Sequence, residues 1–176
     1  MDKFRRKILK EPDTDVSSTF EIFDSLKNIK KQGYLTKEQS IKILKWKSPR
    51  PLKRYQANSN EDFIEITKLA LATKNEKVKI HILTALKGVN IPAASSILMF
   101  YDRKRYPVID IRVWKQLFNA NLVNTNPNGQ GFSLDEWENY LVIIRRIAKE
   151  LNLTPRQVEK RLYDIDKREQ IGNLYK

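Results

Sequence analysis

Cysteine is absent from this chain of 176 residues, and histidine occurs once. The absence of cysteine excludes disulfide bonds, cysteine-ligated zinc and iron–sulfur clusters. A single histidine leaves little room for a histidine-based metal site or a Ser-His-Asp triad. Glycine is scarce as well, with five residues, which argues against a β-rich protein with many tight turns.

Long apolar runs are also missing. The longest stretches, such as residues 97–101, are far shorter than the roughly 20 residues that a membrane-spanning helix needs. The N-terminal segment is basic but lacks the apolar core of a signal peptide. We therefore expect no membrane association and a cytoplasmic location, close to the nucleoid if the source is bacterial.

Positive charge is what the chain has in excess. Lysine and arginine number 34 against 21 acidic residues, which gives a formal net charge of +13. Such an excess is typical of proteins that bind a polyanion, most often nucleic acid. The hydrophobic share of 40% is sufficient for a folded core, and the length suits one domain or two small lobes.

Apolar residues recur with helical spacing almost throughout the chain. The spacing of Ile22, Leu26 and Ile29 predicts one helix, and Pro49 and Pro51 predict a break. Capping boxes predict three further helix starts, at the pairs Thr36 and Gln39, Ser133 and Glu136, and Thr154 and Gln157. Ser59 and Asp62 indicate another helix start before Phe63. Residues 121–132, rich in asparagine and glycine, are predicted to form an exposed loop.

Residues 78–101 predict two helices joined by a tight hairpin at Leu86–Asn90, with Pro92 in the first turn of the second helix. Gly88 and Asn90 are the residue types that tolerate a positive φ, so both are expected to adopt it. A hairpin of this kind presents backbone N–H groups and a helix N-terminus, which together suit a phosphate.

Two motifs resemble one known family. Residues 86–98 read LKGVNIPAASSIL and resemble the helix-hairpin-helix motif. Residues 106–118 read YPVIDIRVWKQLF and resemble the Pro-Val-Asp-x-His-Val stretch of the HhH-GPD DNA glycosylase superfamily, with Asp110 eighteen residues after Pro92. The resemblance implies an all-α, two-lobed helical fold in a single domain, 1–176. Its parts are the hairpin (about 78–103), an aspartate segment (about 106–119) and C-terminal helices (about 133–166).

The resemblance assigns Asp110 as the catalytic carboxylate, which would stabilise an oxocarbenium-like transition state and help to activate water. The apolar helical stripe that follows Asp110 also favours a purely structural role as an N-cap, and the two roles are compatible. Pro92 stands where lyases of the family carry a lysine, and proline cannot form a Schiff base. A monofunctional DNA N-glycosylase is therefore implied, acting in base excision repair or against modified foreign DNA.

Double-stranded DNA is the expected partner, and the protein is expected to be a monomer. The residues expected to contact DNA are Lys47, Arg50, Lys87, Gly88, Val89, Asn90, Arg105 and Arg112. Trp46, Tyr106 and Tyr163 are expected to line a pocket for an extruded base, whereas Trp114 and Trp137 lie on apolar stripes and are predicted to be core. The alternative for the basic residues is that they are solvated surface charges.

No cofactor is required by the resemblance, which allows only a structural Na⁺ or K⁺ on the backbone carbonyls of Thr84, Leu86 and Val89. The alternative is an ordinary helix turn without a ligand. Two other functions stay open. One is a non-catalytic helix-hairpin-helix DNA-binding protein, and the other is a basic adaptor such as a toxin or antitoxin component. The adaptor would show no salt-dependent affinity for DNA.

Overall fold

The structure is a computed structural model that describes residues 2–13, 15–172 and 174. Eleven α-helices and no strands occur in these residues, which confirms the all-α prediction. In chain order the helices are α1 (Lys3–Lys10), α2 (Ser17–Ser25), α3 (Ile29–Gln32), α4 (Lys37–Lys47), α5 (Leu52–Gln56), α6 (Asn60–Ala72), α7 (Glu76–Leu83), α8 (Ile91–Tyr101), α9 (Ile111–Asn119), α10 (Leu134–Leu151) and α11 (Pro155–Glu169).

The helices pack in two groups. In the first, α4 contacts α2, α5, α6 and α8, and α7 contacts α6 and α8. In the second, α11 contacts α1, α9 and α10. Packing of α7 on α10 joins the groups. This is the two-lobed arrangement that the resemblance implies.

The three predicted capping boxes are present, and the predicted helix start at Ser59 is a fourth. At Thr36, Ser59, Ser133 and Thr154 the side-chain oxygen accepts a backbone N–H three residues on, and the side chain at that position accepts the N–H of the cap. Both partners lie within one turn, so the sequence alone specifies the contact. The predicted core tryptophans, Trp114 and Trp137, are fully buried, as expected.

The prediction of one helix through Ile22, Leu26 and Ile29 is wrong. α2 ends at Ser25, whose hydroxyl donates a hydrogen bond to the Ile22 carbonyl at 2.8 Å, and α3 begins only at Ile29. A serine that bonds its own helix backbone competes with the regular ladder. Leu26 and Ile29 are nevertheless both buried, so the apolar spacing correctly marked the residues that face the core.

Helix α8 occupies the centre of the molecule. Every residue from Ile91 to Phe100 is buried except Pro92. Small side chains at the start of α8 leave space for the segment that precedes α9. In that segment, the Ile109 N–H donates a hydrogen bond to Ser95 Oγ at 3.1 Å. Among the described residues, no helix has the length and apolarity to cross a lipid bilayer, and no three acidic or histidine side chains lie close enough to hold a metal ion.

Candidate active site

Asp110 lies at the N-terminus of α9 and is its N-cap. Its backbone is extended, with φ −144° and ψ 148°, and its Oδ1 accepts the Arg112 N–H at 3.0 Å. The neighbouring Ile109 is tied to Ser95 of the hairpin helix α8. The capping role is thus confirmed, and it fixes the carboxylate relative to the hairpin.

The second oxygen of Asp110 binds Lys47, the last residue of α4. The Lys47 Nζ lies 2.5 Å from Asp110 Oδ2, and the two side chains are only 15% and 17% exposed. The sequence predicts Lys47 as a phosphate contact and does not predict this ion pair. The two residues are 63 positions apart, so no local pattern links them.

Two cavities meet at this ion pair. The front cavity, of about 490 Å³, is lined by Lys47, Ser48, Arg50, Pro51, Tyr55, the start of α8 at Asn90–Ala93, Asp110, Ile111 and the loop Gly129–Phe132. The rear cavity, of about 310 Å³, is lined by Val16, Thr19, Trp46, Lys47, Val108, Asp110, Arg156, Glu159, Lys160, Tyr163, Asp164 and Lys167. Lys47 and Asp110 are the two lining residues that the cavities share.

The hairpin reaches the front cavity at its last residue, Asn90. Gly88 has φ +84°, as predicted, whereas the prediction for Asn90 is wrong, because its φ is −97°. Asn90 is instead the N-cap of α8, and its Oδ1 accepts the Ala93 N–H at 3.0 Å. An N-cap requires extended backbone, which excludes the left-handed conformation. The N–H groups of Gly88 and Asn90 donate no hydrogen bond within the described residues, so both are available to an anion.

Asn58 holds the hairpin from behind and was not recognised from the sequence. It is 3% exposed; its Oδ1 accepts the Lys87 N–H at 2.8 Å, and its Nδ2 donates to the Lys87 carbonyl at 3.2 Å. The backbone of Lys87 is therefore already bonded, and only its exposed ammonium remains for DNA. Val89 is buried and supports the hairpin from the core, while Arg50 lies at the exposed edge of the front cavity.

A substitution at Gly88 is expected to distort this hairpin. A Cβ at this position would lie 2.7 Å from the Arg54 Cβ, and the φ of +84° is unfavourable for any L side chain. We expect Gly88→Val to lower the free energy of unfolding by roughly 1–3 kcal/mol, measured by urea denaturation. It should also weaken duplex binding more than Lys87→Gln does.

Gly33→Val is the matched control, because Gly33 has φ +75° but no atoms within 4 Å of a Cβ. It should cost stability through backbone strain alone and leave duplex affinity unchanged. Wild-type affinity in a folded Gly88→Val protein would contradict the assignment of the hairpin to DNA binding.

The carbonyls expected to hold a monovalent cation are compatible with that role. The Leu86 carbonyl accepts the Val89 N–H at 3.0 Å, which leaves it a second lone pair. The carbonyls of Thr84 and Val89 accept no hydrogen bond in the part of the chain that the structure describes. The cation site stays a prediction.

Two of the three predicted base-pocket aromatics line the rear cavity. Trp46 is half-buried, packs edge-on to Phe100 with ring centroids 5.0 Å apart, and donates its Nε1–H to Thr19 Oγ1 at 3.1 Å. Tyr163 reaches the same cavity from α11. Both therefore share this cavity with Asp110, although they come from distant parts of the chain.

Tyr106 is not at this site, so that prediction is corrected. It is 2% exposed, and its hydroxyl donates to Glu76 Oε2 at 2.9 Å. Arg105 and Arg145 bind the other oxygen of Glu76, at 3.0 and 2.9 Å. Burial and the Glu76 carboxylate raise the pKa of Tyr106. Arg105 and Tyr106 line neither cavity beside Asp110, because this cluster holds them on another part of the surface.

Arg112, predicted to bind phosphate, is engaged within the protein. Its guanidinium donates to Asp166 Oδ2 at 3.2 Å and to Gln170 Oε1, and it lies 5.7 Å from the centre of the Tyr163 ring. The guanidinium is thus held against the Tyr163 ring. A phosphate contact by Arg112 would have to compete with them.

No model of a known protein family matches the chain, and no curated protein matches its sequence. The structure is similar to the crystal structure of Methanocaldococcus jannaschii 8-oxoguanine glycosylase/lyase in complex with 15mer DNA containing 8-oxoguanine. The TM-score is 0.53 at 19% identity, and the match covers 96% of this chain and 81% of that chain. The fold is that of a helical DNA glycosylase. The architecture implied by the hairpin and aspartate motifs is thereby confirmed.

Proposed function

We propose that the protein is a DNA N-glycosylase that excises a damaged or modified base by hydrolysis. The observation that carries the proposal is the position of Asp110, which lines both the front cavity and the rear cavity. A carboxylate held there can act on a nucleotide that extends from one cavity into the other. The fold shared with a glycosylase/lyase that was crystallised with DNA supports the same conclusion.

Each part of an extruded nucleotide has a place in this arrangement. A backbone phosphate binds the unpaired N–H groups of Gly88 and Asn90 at the hairpin. The deoxyribose lies at Asp110, and the base enters the rear cavity beside Trp46 and Tyr163. The Thr84, Leu86 and Val89 carbonyls would hold a monovalent cation that orients the hairpin.

Cleavage of the bond between C1′ and the base leaves positive charge on the sugar. The Asp110 carboxylate stabilises that charge and accepts a proton from the water that adds to C1′. The base leaves with the electron pair of the broken bond and takes up a proton. The cap bond from Arg112 keeps the carboxylate oriented, so little reorganisation is needed during the reaction.

The direct test is incubation of the protein with a panel of duplexes, each carrying one modified base, followed by alkali. Abasic sites formed by the protein are converted by alkali into strand breaks, which gel electrophoresis counts. We expect breaks with at least one duplex and none without alkali. A complete absence of breaks across alkylated, oxidised and deaminated bases would overturn the proposal.

Borohydride trapping tests whether the reaction lacks a lyase step. Pro92 offers no amine in the front cavity, and the Lys47 ammonium is bound by Asp110. We therefore expect no covalent complex when the protein meets a preformed abasic duplex in the presence of borohydride. If a complex forms, Lys47→Gln should abolish it and Lys87→Gln should not, which would identify Lys47 as the amine and contradict the monofunctional assignment.

The second candidate is a DNA-binding protein without catalytic activity. The Lys47–Asp110 ion pair favours it, because an ammonium beside the carboxylate offsets the negative charge that the reaction needs. Such a protein would bind duplexes as strongly as an enzyme does. It would form no abasic sites with any duplex of the panel, and Asp110→Asn would leave its duplex affinity in place.

A further inference from the structure

Ion pairs border the rear cavity. They join Lys47 to Asp110, Lys160 to Asp164, and Arg156 to both Asp15 and Glu159. Arg156 is thus shared between two carboxylates, of which Glu159 lines the cavity. The exposed Lys167 lines the cavity as well.

Glu159 shares the Arg156 guanidinium with a second carboxylate, that of Asp15. The Glu159 side chain is 4% exposed, and Oε2 alone makes its hydrogen bonds, accepting from Arg156 Nη1 and from the Val108 N–H at 3.4 Å. Within the described residues, Oε1 of Glu159 accepts no hydrogen bond, although Glu159 lines the rear cavity. Burial raises the pKa of Glu159, and the charge of Arg156 opposes that effect. Glu159 Oε1 is not fully shielded from solvent, so it can accept a hydrogen bond from a ligand in the cavity.

Neighbouring groups fix the direction of this side chain. Arg156 is held by Asp15 Oδ1 and Oδ2, at 2.5 and 3.4 Å, and lies 5.4 Å from the centre of the Trp46 ring. Tyr163 follows Glu159 by one helical turn on α11, so both side chains lie on the same face of that helix. An acceptor and an aromatic ring therefore border the same space, which is large enough for a purine or a pyrimidine.

We infer that Glu159 is the residue that selects the base, by accepting a hydrogen bond from an N–H group on the edge that enters the rear cavity. The inference rests on the proposed function and names its substrate class. Bases that present an exocyclic amino group at that edge are accepted. Bases that present only a carbonyl oxygen or a C–H there are disfavoured, because the carboxylate then stays unpaired.

Bases that lack a single amino group test this inference without any mutation of the protein. Four duplexes carry adenine, purine, guanine or hypoxanthine at one position, each opposite an abasic analogue so that no base pair must be broken. Purine lacks the amino group of adenine, and hypoxanthine lacks the 2-amino group of guanine. In at least one of the two pairs, fluorescence anisotropy should show the wild type binding the amino-bearing member about 10- to 100-fold more tightly. Equal affinities within both pairs would overturn the inference.

Glu159→Gln tests the protein side. The glutamine oxygen can keep the bond from Arg156 and turn its NH₂ group toward the cavity, which replaces an acceptor by a donor. We expect the preference for the amino-bearing base to disappear or reverse, with a melting temperature close to that of the wild type. An unchanged preference in folded Glu159→Gln would contradict the inference. If the variant does not fold, the base-side series decides alone.

Glu169→Gln is the matched control, because it removes the same charge from the same helix at an exposed site paired with Lys7. It should leave the preference intact. Assaying the same duplexes for abasic sites separates the two proposals. A Glu159-dependent preference without excision would support base selection by Glu159 and overturn the proposed glycosylase activity. Excision with no such preference would support the proposed glycosylase activity and overturn base selection by Glu159.

Discussion

Asp110→Asn is expected to reduce base excision by at least about 100-fold, or about 2.7 kcal/mol of barrier, while the protein stays folded. Asparagine is as good an N-cap as aspartate, so the bond from the Arg112 N–H should survive. The charge that stabilises the oxocarbenium-like transition state is lost. Single-turnover excision on the best duplex of the panel measures the effect, and thermal melting reports the fold.

The structure adds a second consequence of this substitution, since an amide NH₂ would face the Lys47 ammonium. Loss of the ion pair should lower the free energy of unfolding by roughly 1–3 kcal/mol. Lys47→Met is therefore the control, because it also breaks the pair but keeps the carboxylate. It should retain much more excision than Asp110→Asn. Equal losses in the two variants, or full activity in Asp110→Asn, would contradict a catalytic role for Asp110.

Duplex affinity is expected to fall steeply as salt is added. Each phosphate that the protein neutralises contributes about −0.9 to the slope of log K against log[salt]. A footprint of about six phosphates would cost about 10³-fold in affinity between about 50 and 200 mM salt. The net charge of +13 and the unpaired N–H groups of the hairpin favour a footprint of this size. Anisotropy titrations at several salt concentrations give the slope.

Single substitutions identify the residues whose phosphate contacts produce that slope. Arg50→Gln, at the edge of the front cavity, should reduce the slope by about 0.9. Lys149→Gln, on α10 and outside both cavities, should leave it unchanged. A flat salt dependence in the wild type would contradict DNA binding altogether and favour the adaptor.

Local signals predicted the helix starts and the character of individual residues. The capping boxes at Thr36, Ser59, Ser133 and Thr154 are present, as is the cap at Asp110, because each partner lies within one turn. Where the local signal was incomplete, the prediction was wrong. Apolar spacing joined α2 to α3 across Ser25, and residue type alone assigned a positive φ to Asn90.

Contacts between distant segments could not be predicted in this way. Lys47 and Asp110 are 63 residues apart, and Asn58 supports a hairpin 29 residues away. Tyr106 directly follows Arg105 and precedes Asp110 by only four positions, yet Glu76 draws it away from the site. Sequence proximity to the catalytic candidate was a poor guide, because the direction of a side chain depends on partners that folding brings in.

The sequence by itself determined the all-α class, the hairpin, the basic character and the cap at Asp110, since these depend on composition and on residues within a turn of one another. The catalytic role of Asp110 is implied by the family resemblance alone. Only the tertiary structure decided that Lys47 binds Asp110, that Trp46 and Tyr163 share a cavity, and that Glu159 lines the same cavity. The physical reason is that a pocket is formed where separate helices meet. Its shape and charge depend on how α4, α9 and α11 pack, which no local pattern encodes.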